Sequence, residues 1–210
     1  MQKLTIPRLL INCLTCIAMT SCGSFNAVKH YQTATLRQSV LHVPYFAQSD
    51  TDHIYKAHIT VYGKALSGIF IAKKINDNTH RIVFSTEFGN TLMDFEISET
   101  NFRINSIVPE LDRIILLNTL KTDFRLLLRS DYNVQQLYEN DAHLVFKSRS
   151  GNKFDYLYTL KSTGSLFKIV HASKRKEIIN IGVGSENNIF AQRISIEHKN
   201  IELTIELNRI

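Results

Sequence analysis

Apolar and polar residues alternate with a period of two along most of the chain after Ile54. In the last such stretch Ile201, Leu203 and Ile205 share one face of an extended chain, and Glu202 lies on the other. The same alternation around Ile59 and Phe84, and between turn residues elsewhere, predicts further strands at 68–75, 91–98, 101–108, 143–149, 153–161, 165–172, 177–183, 189–198 and 200–208. Many short strands at regular spacing are typical of an antiparallel meander.

Two segments depart from this alternation. Across 110–127 the apolar residues recur every three or four positions after Pro109, which predicts a helix of three to four turns. Residues 33–43 carry apolar side chains at spacings that allow a helical turn or two before Pro44. A curved sheet that wraps around the central helix would bury the apolar side of both. The predicted fold class is therefore mostly β (α+β), a strongly curved half-open antiparallel β-barrel wrapped around a central helix.

The two predicted strands at 153–161 and 165–172 are apolar on both faces. Such strands must be covered on both sides or must border a cavity. An apolar cavity between sheet and helix would suit acyl chains. We expect its lining to come from aromatic or apolar residues that could face inward, namely Phe70, Phe84, Leu117, Phe124, Tyr156 and Tyr158. The sequence leaves open the alternative that side chains fill this space.

The first 22 residues have the pattern of an export signal. Lys3 and Arg8 precede an apolar run at 9–19, which at about 11 residues is too short to span a bilayer as a helix. The sequence that ends at Cys22 resembles the lipobox of bacterial lipoproteins, which implies acylation of that cysteine. We therefore predict a signal peptide over 1–21, a tether over 22–32 that begins with acylated Cys22, and a domain over 33–210. A signal peptide cleaved nearby, with Cys22 unmodified, is the alternative.

Composition is that of an ordinary globular protein, with 44% apolar and 21% charged residues, and it excludes a disordered chain and a multi-span membrane protein. Loss of Lys3 and Arg8 with the signal peptide would leave 23 basic against 19 acidic residues, a net charge of +4. The basic residues are scattered, and the tight cluster at 174–176 falls in a predicted turn. No nucleic-acid partner is predicted from so mild a charge.

Candidate chemistry is sparse. The two other cysteines lie in the signal peptide, so Cys22 alone would remain, which excludes a cysteine nucleophile and a cysteine metal site. The eight histidines form no metal-binding motif, and His53 and His58 should point to opposite faces of one strand. We expect the histidines at the surface or at strand ends, and Asp112 and Asp123 as surface charges on one helix face. No catalytic residue, metal site or cofactor is predicted.

One segment carries a family resemblance. Residues 81–96 resemble the strand-turn-strand of the LolA/LolB lipoprotein-localisation family, in which Phe88 and Gly89 form the turn and Leu92 opens the next strand. The order of lipobox, tether, early helix, strands, central helix and meander is similar too. The runs 108–113 and 123–128 are also similar to lipoproteins of Bacteroidetes-type bacteria.

The resemblance implies a half-open barrel closed by helices and an apolar cavity that receives the acyl chains of lipoproteins. In the membrane-bound receptor of that family a protruding apolar loop accompanies insertion of cargo, whereas the corresponding turn at 76–80 is polar here, so insertion is not expected. We expect a non-enzymatic protein, lipid-anchored in the outer membrane and facing the periplasm, that binds acyl chains or lipidated cargo. The alternative is a structural lipoprotein with a filled core that docks another envelope protein through a sheet edge or patch.

Overall fold

The computed structural model describes residues 25–49 and 51–210, so the predicted signal peptide and Cys22 lie outside the described residues. The described chain forms fourteen strands and the helix α1 (Ile114–Leu128). The strands are β1 (Gln32–Ala34), β2 (Val40–His42), β3 (Asp52–Val61), β4 (Lys64–Asn76), β5 (Thr79–Ser85), β6 (Thr91–Ile97), β7 (Phe102–Ile107), β8 (Asp131–Glu139), β9 (His143–Ser150), β10 (Lys153–Leu160), β11 (Leu166–Ala172), β12 (Glu177–Gly184), β13 (Arg193–His198) and β14 (Leu203–Arg209).

All fourteen strands belong to one antiparallel sheet. Its order is β1-β8-β9-β10-β11-β12-β13-β14-β3-β4-β5-β6-β7, and β2 pairs with the first half of β8. Strands β3 to β7 and β8 to β14 are each meanders, joined by the pairing of β14 with β3. Strands β1 and β7 lie at the two ends of this order and do not pair with each other, so the barrel is open. The predicted fold class is confirmed.

Helix α1 covers the concave face of the sheet. Its buried residues include Leu117, Leu120 and Phe124, which belong to the same core as the inward residues of β3 to β6. The helix begins at Ile114 and not at 110, because 109–113 are taken up by tight turns in which Leu111 N–H donates to the Val108 carbonyl. The central helix is therefore confirmed, with a later start than its apolar spacing predicts.

The predicted helix at 33–43 is wrong, because this segment forms β1 and β2, both of which pair with β8. Pairing with an available strand outweighs a weak local helical spacing. Strand β8 itself is absent from the sequence prediction. An irregularity in its pairing between Val134 and Gln136 puts Val134 and Leu137 on the same inner face, three positions apart, which interrupts the period of two.

The alternation of apolar residues at Ile82 and Phe84 continues in the sequence to Phe88, but β5 ends at Ser85 and the turn to β6 follows. Phe88 is 95% exposed in that turn. Gly89 has φ +87°, a conformation that glycine adopts readily, and its N–H donates to the Thr86 carbonyl. The apolar-glycine turn is thus present, but its aromatic residue points into solvent.

Candidate functional site

A cleft of about 610 Å³ opens where the last turn of α1 meets the start of β8. The turns β4–β5 and β6–β7 form its other walls. Its lining comprises Val40, Ala47, Lys74, Asp77, Asn78, His80, Ile97, Ser98, Glu99, Thr100, Phe124, Arg125, Leu128, Arg129, Ser130, Asp131 and Asn133. The volume lies within the range of sites for small molecules.

The floor of the cleft is apolar and continuous with the core. Ile97, Phe124 and Leu128 contribute to both the lining and the buried core. The Phe124 ring lies 5.6 Å from the ring of Phe70 on β4, so the floor leads directly to the contact between α1 and the sheet. An apolar group that enters the cleft therefore meets the same side chains that hold the helix in place.

The rim of the cleft carries charges of both signs. Arg129 Nε lies 3.1 Å from a carboxylate oxygen of Glu99, and Arg125 Nε donates to the Ser98 carbonyl at 2.9 Å. His42 lies 2.9 Å from Asp131 and lowers the pKa of that carboxyl through their hydrogen bond. The rim can therefore interact with a charged or zwitterionic group, while the floor can bury an apolar one.

The protein's own side chains fill the space between α1 and the sheet. Phe70, Phe84, Phe95, Leu120 and Phe124 are each at most 1% exposed. This interior corresponds to the filled core that the sequence left open as the alternative to a cavity. The space accessible at this end of the protein is the cleft, which reaches the core at Phe124.

Two acid–histidine pairs lie buried on the concave side. Asp123 on α1 lies 3.0 Å from His198 Nε2 on β13, and Asp155 on β10 lies 2.5 Å from His171 Nδ1 on β11. Burial raises the pKa of Asp123. Arg129 Nη1 approaches Asp155 at 3.6 Å, which connects this cluster to the rim of the cleft. The hydrogen bond between Asp123 and His198 connects the helix to the sheet.

The surface position predicted for Asp123 is wrong, whereas Asp112 is exposed as predicted. Asp123 faces the core, whereas Asp112 precedes α1, so the two carboxylates do not share a helix face. Among the histidines, the side chains of His53, His80, His171 and His198 are buried, because each lies on the inward face or the inner end of a strand. Alternation predicts which face a histidine takes, but not that an inward histidine will find a buried carboxylate.

The six predicted lining residues do not come together. Phe70, Phe84, Leu117 and Phe124 belong to the core between α1 and the sheet. Tyr156 and Tyr158 lie on the outer face of β10, in a separate cluster with Val145, Val170 and Ala172. We call this cluster, together with the partly buried Phe154 and Phe167 beside it, the outer aromatic patch.

The outer aromatic patch is covered by the chain's own N-terminal segment, residues 25–31. Tyr158 Oη donates to the Ala27 carbonyl at 2.7 Å, and the Tyr31 ring meets the Tyr158 ring edge-on with centroids 5.9 Å apart. Of the two alternatives that the sequence left for these strands, cover on both faces or a bordering cavity, the structure shows cover on both faces. The sequence contains a signal for this cover, because the predicted tether carries the apolar residues Phe25 and Val28, which pack against the outer aromatic patch.

Within 25–49 and 51–210, no group of three or more His, Cys, Asp or Glu side chains is arranged to hold a metal ion. In the same part of the chain, no helix is both long and apolar enough to cross a membrane.

Comparisons with known proteins bear on the fold. No protein-family model and no curated protein matches this sequence. Among solved structures, a LolA superfamily protein from Nitrosomonas europaea superposes with a TM-score of 0.53 at 8% identity, over 80% of this chain and 86% of that one. A DUF1329 family protein from Desulfovibrio piger superposes with a TM-score of 0.42 at 13% identity, over 77% of this chain and 85% of that one. The likeness to the Nitrosomonas protein confirms the predicted resemblance at the level of the fold: this chain has a LolA-like fold.

Proposed function

We propose that this protein is a non-enzymatic, lipid-anchored envelope protein that binds the acyl chain of a lipid or of a lipidated partner at the cleft beside α1. One observation carries the proposal: the cleft combines a charged rim with an apolar floor that continues into the core at Phe124. An amphiphile has the same arrangement of one charged end and one apolar end.

The floor and the rim would take different parts of the ligand. Methylene groups would lie against Ile97, Phe124 and Leu128, where burial contributes about 0.8 kcal/mol for each methylene. The headgroup would remain at the rim near Arg125 and Arg129, where water is still accessible. Five methylenes in contact would thus contribute about 4 kcal/mol before the cost of ordering the chain.

Deeper insertion would require α1 to move. The space behind Phe124 is filled, and the Asp123–His198 pair holds the helix to β13. A ligand with a long acyl chain would therefore exchange its own contacts for those between Phe124 and Phe70. The LolA-like fold supports this proposal because the helix covers an open sheet and not a closed barrel.

The anchor is a separate part of the proposal. The leader pattern that ends at Cys22 supports export and acylation, with the protein held at the outer membrane and facing the periplasm. Cys22→Ala should then move the protein from the membrane fraction to the soluble periplasmic fraction. Retention of the variant in membranes would contradict acylation at this position.

Binding can be tested with a single tryptophan, because the chain has none. Val40 lines the cleft and is 43% exposed, so Val40→Trp in the Cys22→Ala protein places a fluorophore there without disturbing the core. We expect a bromine-labelled fatty acid to quench this tryptophan saturably. Ile189→Trp is the matched control, since Ile189 is 44% exposed and does not line the cleft. Equal quenching at both positions, or none at Val40→Trp, would contradict the proposal.

The second candidate function is docking of another envelope protein. The packed interior favours it, because the space between α1 and the sheet has no room for a ligand beyond the cleft unless α1 moves. The exposed Ile114 and Ile115 at the start of α1 are apolar side chains available to such a partner. Absence of fatty-acid quenching at Val40→Trp would favour docking over acyl-chain binding.

A further inference from the structure

We propose that the outer aromatic patch, with residues 25–31 lying on it, is the face that this protein turns toward the bilayer that holds its anchor. The inference rests on the lipid anchor of the proposed function and goes beyond it, because it assigns an orientation and a contact surface. The occupant of this surface is the headgroup layer of a membrane that contains anionic lipid.

The tether is fixed to the domain almost from its start. Asn26 Oδ1 accepts from the Val28 N–H at 3.0 Å, and Tyr31 N–H donates to the Val28 carbonyl at 3.0 Å. With the bond from Tyr158 to Ala27, this places Phe25 against the patch. The N-terminal segment is therefore an ordered part of the domain and not a flexible spacer.

Chain length then sets the distance to the membrane. Two residues, Gly23 and Ser24, separate Cys22 from Phe25. Three residue steps of extended chain span at most about 11 Å. The interfacial layer on each side of the hydrocarbon core is about 5–8 Å thick. An acylated Cys22 at that boundary therefore keeps Phe25, and the part of the patch against which it packs, within or next to the headgroups.

The chemistry of the patch suits this environment. Lys147 Nζ lies 4.6 Å from the centre of the Phe154 ring, and Lys168 Nζ lies 5.4 Å from the centre of the Tyr158 ring. Aromatic rings are enriched at membrane interfaces, and lysines near the surface are attracted to anionic lipids. Phe167 is half-buried beside these rings and can contact the acyl region.

Charge compensation distinguishes this surface from the other half of the sheet. On β3 to β6 the outward cations have carboxylate partners, as in Arg81 with Asp94 at 2.6 Å and Lys73 with Asp52 at 2.9 Å. Among the described residues, Lys168 has no carboxylate within 4.0 Å, and neither does Lys147. The positive charge of the patch is thus available to lipid phosphates.

Depth-dependent quenching tests the orientation. The lipidated protein carrying Phe167→Trp is reconstituted into vesicles of phosphatidylcholine brominated on its acyl chains, with one-fifth phosphatidylglycerol. Ile71→Trp is the control, because Ile71 is also half-buried but lies on the outer face of β4. We expect quenching at Phe167→Trp to exceed that at Ile71→Trp at least threefold.

The outcomes separate this inference from the anchor. Failure of the protein to float with the vesicles would overturn acylation at Cys22 and the inference with it. Flotation with equal or no quenching at the two positions would overturn the inference alone and would leave the patch to a protein partner. As a second arm, Lys147→Gln with Lys168→Gln should reduce quenching at Phe167→Trp, whereas Lys56→Gln with Lys73→Gln should not. No change with the first pair would overturn the role of the two lysines.

Discussion

The outer face of the sheet is built differently in its two halves. On β5 to β7 it is polar and ion-paired, as in Arg81 with Asp94 and Arg103 with Glu96. On β9 to β11 it is aromatic and covered by residues 25–31. Both halves share the same inner core. The outer face of β9 to β11 is therefore apolar because the chain's own N-terminal segment packs against it. A ligand cavity would have been the other explanation for strands that are apolar on both faces.

The largest expected effect is on the inner face. Phe124→Ala should lower the free energy of unfolding by about 3–5 kcal/mol, because it removes a fully buried ring between α1 and β4. Phe154→Ala on the outer patch should cost markedly less, since that ring is half-buried. Urea denaturation of both variants measures the difference. Equal losses would show that the two faces are equally packed and would break the comparison.

Two histidines of one strand, His53 and His58, should differ in their effect on the pH dependence of the free energy of unfolding. His53 faces the core on β3, 1% exposed, and its ring lies 4.8 Å from the ring of Phe46. Burial and the nearby charge of Arg209 lower its pKa from 6.5 to about 4. The folded state therefore binds the proton less tightly than the unfolded state. The stability that neutral His53 contributes is present above pH 6.5 and falls by about 3 kcal/mol as pH drops toward 4.

His53→Phe should remove most of this dependence, as measured by urea midpoints between pH 4 and pH 7.5. His58→Phe is the matched control, because His58 lies on the outer face of the same strand and is exposed. A slope that is unchanged in His53→Phe, or equally flattened in His58→Phe, would contradict the assignment to the inner histidine.

The smallest expected effect concerns the covering segment. Tyr158→Phe removes the hydrogen bond to the Ala27 carbonyl and should lower the free energy of unfolding by about 1 kcal/mol. Amide hydrogen exchange at residues 25–31 should increase in this variant while the core strands stay protected. Tyr138→Phe, which loses an exposed bond to Gln136, should leave that exchange unchanged. Faster exchange in both variants would show that the order of residues 25–31 depends on the whole outer face of β8 to β11 and not on the Tyr158 hydrogen bond alone.

The alternation of apolar and polar residues was enough to predict most strands of the sheet, because one face of most strands meets water and the other meets the core. The helix α1 was predicted from apolar residues that recur every three or four positions. It failed where a tertiary partner decides the structure. Residues 33–43 became strands through β8, and β8 was hidden by the irregularity near Val134. For the candidate site, Phe124 was predicted from its apolar spacing and lies at the cleft floor. The buried position of the Asp123 side chain and the half-buried position of the Arg129 side chain were not predicted, because burial of a charge depends on partners that are distant in sequence.

The open sheet leaves two edges, and each is unsuited to recruiting another chain. One edge consists of β1 and β2, which are three residues long each, and the other is β7, which is exposed over most of its length with Arg103 and Asn105 pointing outward. Short or charged edges discourage edge-to-edge pairing between neighbouring molecules. Copies of this protein crowded together at high density can therefore stay separate, although their barrels never close.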